Sequence, residues 1–301
     1  MWSYKGKKKL VRKILLTIIT AVISLFFAFP MILTVTNSFM TENEINSNYS
    51  MIALNNDTND KEQKILNDNS YVKLRIIPDM VTLKQYYNVL IKQVKFLLMF
   101  WNSVKIALCV ISGQVIVASM AAYAFSKMEF PGRNKLFLIY IIVMLMPFQV
   151  TLLPNYIISD IFHLIDKHES IIFPGVFSAF GVFLLRQFMM DIPKEYIEAA
   201  MIDGANHFYI FIKIIVPLSV NAIAALTILV FIDNWNLVEQ PLILLKDQLK
   251  EPLSLYLSQI NFNEKGIAFA ASMIYMIPAL LIFLYAESHL VEGIKNSGIK
   301  G

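Results

Sequence analysis

From Ile14 to Thr41 the chain carries no charged side chain. About 20 mostly apolar residues suffice to cross a hydrocarbon layer as a helix, and a helix satisfies all its own backbone polar groups there. Directly before this run stand Lys5, Lys7, Lys8, Lys9, Arg12 and Lys13. A cleaved signal peptide would have a shorter apolar core followed by a small-x-small cleavage site, and this run has neither. The basic cluster therefore anchors residues 1–13 on the cytoplasmic side of a first transmembrane helix at 14–38.

Similar apolar stretches recur at about 96–125, 136–153, 170–188, 217–237 and 266–290. Six spans put both termini in the cytoplasm. Hydrophobic residues make up 57% of the chain and charged residues 16%, whereas a soluble domain carries roughly a quarter charged residues. The expected fold class is thus all-α, a polytopic protein with six transmembrane helices, multi-pass in a bacterial cell membrane. The polar segment 39–95 is expected to be extracytoplasmic, and its stretch Asn46–Asp68, rich in Asn, Asp and Ser, reads as a surface excursion. The loop Ser126–Lys135 is basic and falls inside, whereas Pro154–Glu169 has only Lys167 and falls outside. Lys246, Lys250 and Lys265 before the last span do not follow that rule. Pro30, Pro147, Pro154, Pro174, Pro217 and Pro278 lie in or beside the spans. Such breaks suit helices that line a cavity.

Several functions are excluded. A net charge of +4, concentrated at the N-terminus, offers no basic face for nucleic acid. Cys109 is the single cysteine, and the four histidines (His163, His168, His207, His289) make no metal-ligand pair. There is no nucleophile with its base and no phosphate loop. The chain is expected not to be an enzyme and to bind no cofactor or metal. The two halves show no internal repeat of the kind secondary transporters carry.

The most informative stretch is Ile192-Pro193-Lys194-Glu195-Tyr196-Ile197-Glu198-Ala199-Ala200-Met201-Ile202-Asp203-Gly204-Ala205. Pro193 suits a first helical turn, and the acids that follow suit the helix dipole. Ala199 and Ala200 favour helix and leave a flat face, and Gly204 stops the helix. The spacing predicts a short cytoplasmic helix of about three turns whose face allows close approach by another protein. A second helix, Phe208–Val216, leads back to the membrane at Pro217.

Glu198-Ala199-Ala200-x-x-Asp203-Gly204 with the later Pro217 resembles the coupling loop of bacterial ABC importer permeases. The likeness extends to Thr82-Leu83-x-x-Tyr86, Asn102-Ser103, Ala121–Arg133 and Phe183–Phe188, which are similar to the maltose-type carbohydrate permeases, in particular the smaller subunit. It implies a type I importer permease core over residues 96–290. Its coupling loop, residues 189–216, would dock in a groove of an ATPase subunit through Glu198, Ala199, Ala200, Asp203, Gly204 and Pro217. It also implies the partners: a second homologous permease, two ATPase subunits that use ATP and Mg²⁺, and an extracytoplasmic solute-binding protein. The expected function is import of a sugar or oligosaccharide. A non-sugar solute, or secondary transport, is the alternative. The tail 291–301 resembles the family's Gly-ended cytoplasmic tail, and the resemblance implies that Asn296, Ser297, Gly298 and Gly301 contact the ATPase.

Within the fifth span, Asp233-Asn234-Trp235-Asn236 resembles the family's Gly-Ser-Trp-Asn-Asp. Asp233 replaces the glycine and Leu237 the aspartate, so the carboxylate is displaced by one helical turn. Ionisable groups at membrane depth face cavities or partners. Asp233, Asn234, Trp235 and Asn236, with Gln149 and Asn155 beside Pro147 and Pro154, are expected to line the substrate path. The polar groups suit sugar hydroxyls and the indole suits a ring face. The other reading is that they bind helix to helix without touching substrate.

Overall fold

The computed structural model describes residues 2–49, 74–260 and 264–298. All regular structure among these residues is helical. The chain forms two compact units, residues 1–94 with 260–274, and residues 95–259 with 275–301.

In the first unit, α1 (Trp2–Ser38) is about 55 Å long at 1.5 Å per residue. Its apolar residues point in all directions, and Phe26, Phe27 and Leu25 are exposed, as in a lipid-facing helix. The helix ends in a polar knot. Buried Asn37 donates to the Tyr49 hydroxyl at 2.6 Å, and buried Ser38 meets the Tyr86 hydroxyl at 2.7 Å. Thr41 caps α2 (Glu42–Asn48) by accepting from the Glu44 N–H. Further on, α3 (Lys84–Tyr87) runs into a π-helical turn at Asn88–Lys92. Gly266 lies so close to Gln85 that a Cβ would stand 2.4 Å from its amide nitrogen. Most of the expected excursion Asn46–Asp68 lies outside the described residues.

The second unit is built on α4 (Val94–Lys127). Its buried face, including Ile106, Val110, Ala118 and Ala122, packs in one apolar core with Ile171, Val182, Leu185 and Leu226 of other helices. Small residues permit this closeness: a Cβ on Gly113 would meet Val176 at 2.5 Å, and one on Gly175 would meet Val110 at 2.8 Å. After α4 come α5 (Arg133–Met144), α6 (Phe148–Ile161), α7 (Glu169–Val176) and α8 (Ala179–Met190). The expected third span is not one straight helix. α5 and α6 are bent by 102°, because Pro147 has no N–H and holds an extended backbone at the break. Then follow α9 (Glu195–Ile202), α10 (His207–Leu218), α11 (Val220–Trp235), α12 (Glu239–Leu244) and α13 (Leu253–Ser258). The last helix, α14 (Lys265–Gly298), contains Pro278. Among the described residues, four helices are long and apolar enough to cross a bilayer, or six if each of two bent pairs crosses once.

Asp166 pins the segment after α12. It takes a left-handed backbone, φ 62°, and its N–H donates to the Leu244 carbonyl at 2.8 Å. Its Oδ1 accepts from the N–H groups of Lys246 and Asp247, both at 2.9 Å, and its Oδ2 pairs with Lys250 at 2.6 Å. The Lys250 ammonium, then the two N–H groups, hold the Asp166 carboxyl down to about 2. His168 completes the knot through Nε2, 2.8 Å from the Lys250 carbonyl.

Candidate functional site

The segment between α8 and α11 is two short helices joined by a tight corner. α9 spans eight residues, about two turns rather than the expected three, because residues 191–194 form a turn instead of a first helical turn. Its end is a Schellman motif. The Gly204 N–H donates to the Met201 carbonyl at 3.0 Å, and the Ala205 N–H to the Ala200 carbonyl at 2.9 Å. Gly204 stands at φ +85°, where a side chain would be strained. Two residues on, Asn206 caps α10 by accepting from the Tyr209 N–H at 2.8 Å.

α10 changes register at Phe211–Ile215, where it is π-helical. Pro217 explains the change, since it has no N–H to offer the carbonyl four residues back. At Ser219 the chain then turns by 76° into α11. The Ser219 hydroxyl is buried and has no hydrogen-bond partner among the described residues.

The segment is fastened by one face and open on the other. Ile197, Ile210 and Ile215 are buried in the main core. Glu198, Ala199, Asp203 and Gly204 are exposed, as are Met201 and Phe208, and Ile202 is 87% exposed. Beside them a groove of about 650 Å³ is lined by Ala200, Asp203, Gly204, Asn206, Tyr209 and Lys213, among others. All the expected coupling residues except Pro217 thus share one corner, and Pro217 sits at the segment's far end.

Basic side chains tie this corner to the bundle. Lys127, at the end of α4, donates to the carbonyls of Met190 and Ile192. Arg186 of α8 donates to the Phe125 carbonyl at 3.3 Å, and its guanidinium lies 3.8 Å from the Phe137 ring centre. Arg133 reaches the Met128 carbonyl at 3.0 Å. The runs around Lys127 and Arg186, distant in sequence, are therefore one structural joint.

The Asp233–Asn236 stretch divides. Trp235 is 1% exposed and stacks with Phe231 and Tyr275, with Phe100 edge-on. Its indole N–H donates to the Tyr275 carbonyl at 3.1 Å. This packing corrects the expectation of an indole platform for a sugar ring: neighbouring aromatic side chains already occupy the ring. Asn234 donates to the Val230 carbonyl of its own helix at 2.8 Å. Asn236 donates to the Ile232 carbonyl at 2.8 Å, and its Oδ1 stands 2.8 Å from the Tyr275 hydroxyl. Asp233 is exposed, with no hydrogen-bond or ion-pair partner among the described residues, and shares an exposed stripe with Leu229, Ile232 and Asn236. Gln149 is exposed and Asn155 half-buried on α6, and no hydrogen bond joins either to this stretch. Among the described residues no group of His, Cys, Asp and Glu is placed to hold a metal ion.

The family model of the binding-protein-dependent transport system inner membrane component matches residues 114–296, a range that contains both the α9–α10 corner and Asp233–Asn236. The chain belongs to this family. It is a membrane permease subunit of the ABC importer class, multi-pass in the cell membrane, and not an enzyme. The permease is 29% identical to the arabinooligosaccharides transport system permease protein AraQ of Halalkalibacterium halodurans, over 74% of this chain and 81% of that one. It is 31% identical to the lactose transport system permease protein LacG of Rhizobium radiobacter, over 68% and 76%. It is likewise 31% identical to the sn-glycerol-3-phosphate transport system permease protein UgpE of Pectobacterium atrosepticum, over 67% and 74%. Its fold matches a chain of a bacterial ABC transporter involved in the import of the acidic polysaccharide alginate. The TM-score is 0.76 at 21% identity, over 92% of this permease and 96% of that chain.

Sequence reasoning missed Tyr275 and Asp166. Their partners lie 40 and about 80 positions away, and no local pattern marks such a pair. The tail residues Asn296, Ser297 and Gly298 fall in the last turns of α14. Their side chains, Gly301 and the side chain of His289 lie outside the described residues.

Proposed function

We propose that this permease carries a sugar or oligosaccharide across the membrane, in a complex with a second homologous permease, two ATPase subunits and an extracytoplasmic binding protein. The α9–α10 corner is the docking site for an ATPase subunit, which binds ATP and Mg²⁺ in its own site. Both termini lie in the cytoplasm, segment 39–95 lies outside, and the tail with Asn296, Ser297, Gly298 and Gly301 meets the ATPase. The observation that carries the coupling role is the contrast within one segment. Ile197, Ile210 and Ile215 weld it to the core, while Ala199 and Ile202 stay exposed on a corner locked by Gly204. An exposed apolar face on a rigid corner suits a protein partner.

The sugar assignment rests on relatives whose names specify arabinooligosaccharides and lactose. A second reading, a small organic phosphate, is favoured by the relative named for sn-glycerol-3-phosphate at the same identity. Asp233 and Asn236 face the path, because an exposed carboxylate on an apolar helix is costly against lipid. Uptake into proteoliposomes containing the whole complex tests this, with neutral oligosaccharide or glycerol phosphate on a matching binding protein. Sugar uptake that Asp233→Ala diminishes supports the reading. Glycerol phosphate uptake alone favours the second reading, and unchanged sugar uptake by an assembled Asp233→Ala complex removes Asp233 from the path.

A further inference from the structure

Among the connections between the α9–α10 corner and the loop at 249–253, two contrast in stiffness. The covalent one, through α10 and α11, is jointed by the π-helical stretch and the 76° bend. The other is α4, a single helix of 34 residues with no proline inside. Side chains of α4 grip both ends of that route. Near its start, Asn102 donates to the carbonyls of Leu249 and Glu251 at 2.8 and 3.1 Å. The adjacent Ser103, 1% exposed, accepts from the Leu253 N–H at 2.8 Å. Near its end, Tyr123, 4% exposed, places its hydroxyl 2.9 Å from Nδ1 of His207, the first residue of α10. The Tyr123 ring also packs on Phe211, centroids 5.5 Å apart, where the π-helical stretch begins. Asn102 and Tyr123 are separated by about 32 Å along the helix axis, at 1.5 Å per residue.

We propose that α4 is a transmission rod: Asn102 and Ser103 fix it to the 249–253 loop, Tyr123 fixes it to the α9–α10 corner through His207, and a force on either end is felt at the other. Helices are stiff along their axis, and packed cores move between discrete arrangements rather than deforming. A jointed connection absorbs a displacement that an unbroken one passes on. Asn102, Ser103 and Tyr123 are thus positioning residues, each acting through the backbone or side chain it holds. On the proposed function, the corner faces the ATPase. The loop at the opposite end then lies on the side where the binding protein docks, and the rod carries the signal that a loaded binding protein has arrived. This inference rests on that reading.

The test is binding-protein-stimulated ATP hydrolysis by the complete complex in proteoliposomes, with basal hydrolysis measured alongside. Tyr123→Phe keeps the ring packing and removes only the hydroxyl. Asn102→Ala removes the other grip, and Ser103→Ala replaces it if that variant fails to assemble. Each single variant is expected to lower the stimulation about fivefold or more with basal hydrolysis retained, a typical coupling between sites. The double variant is expected to be no worse than the poorer single one, because two cuts in one rod do not add. Unchanged stimulation in Tyr123→Phe overturns the proposal. So does a double variant whose loss is the product of the two single losses. If the wild-type complex shows no stimulation, the proposed function has failed and not the rod.

Discussion

Trp235 and Tyr275 bind each other twice: the indole N–H donates to the Tyr275 carbonyl at 3.1 Å, and the Tyr275 hydroxyl lies 2.7 Å from the Trp235 carbonyl. Their rings stack with centroids 5.5 Å apart. The pair fixes the end of α11, and with it the direction in which Asp233 and Asn236 point. Tyr275→Phe keeps the stacking and leaves the Trp235 carbonyl unpaired. It is expected to cost roughly 1 kcal/mol of stability, read as a lower unfolding midpoint of the purified complex. An unchanged midpoint would remove the pair as the anchor of α11.

A Cβ placed on Gly204 would meet no atom within 4 Å, so the cost of a side chain there is conformational rather than steric. Gly204→Ala is expected to destabilise the α9–α10 corner by about 1–2 kcal/mol, and Gly204→Asn by less, since Asn tolerates the left-handed region. Hydrogen exchange at the Ala205 amide, bonded to the Ala200 carbonyl, reports it. Equal exchange in all three proteins would contradict the assignment.

Arg186 both stacks on Phe137 and donates to the Phe125 carbonyl. A lysine ammonium is a point donor and cannot stack as a plane. Arg186→Lys is therefore expected to lose about 1 kcal/mol despite keeping its charge, visible as a lower unfolding midpoint. A lysine variant as stable as wild type would show that charge alone suffices.

Asp166 gives a pH signature. Its folded carboxyl lies at about 2, below the ordinary 3.8, so the group contributes stability above about pH 4 that is lost as pH falls towards 2. The Lys250 shift upward arises first from the hydrogen bond to Asp166, and it is the same interaction seen from the other partner. Exchange of the Lys246 and Asp247 amides is expected to be slow at neutral pH and to approach that of Asp166→Asn near pH 2. If the two proteins exchange alike at neutral pH, the clamp does not hold the loop.

The helical class, the α9 stop at Gly204 and the family itself were legible because they depend on local signals: apolar run length, a helix stopper, and a motif within a few residues. The expected third span was not legible as a bent pair, because Pro147 permits either a kink or a full break and packing decides which. The expected role of Trp235 failed for a related reason. The residue type suggested a sugar platform, but its partner Tyr275 lies 40 positions away, and only the folded chain shows that the ring is already covered. The motif runs at Lys127 and Arg186 were visible as likeness, yet their physical work of capping carbonyls across helices emerges only in three dimensions.

The most direct test of the central claim, that the α9–α10 corner is where an ATPase subunit drives this permease, is Ala199→Arg. Ala199 is exposed, so the substitution leaves the fold intact while placing a long charged side chain on the proposed docking face. Solute uptake and binding-protein-stimulated ATP hydrolysis are measured together in proteoliposomes. The expected result is that the two permease subunits still assemble while the ATPase subunits are lost or hydrolysis no longer drives uptake. Uptake at the wild-type rate, with hydrolysis still stimulated, would contradict the claim.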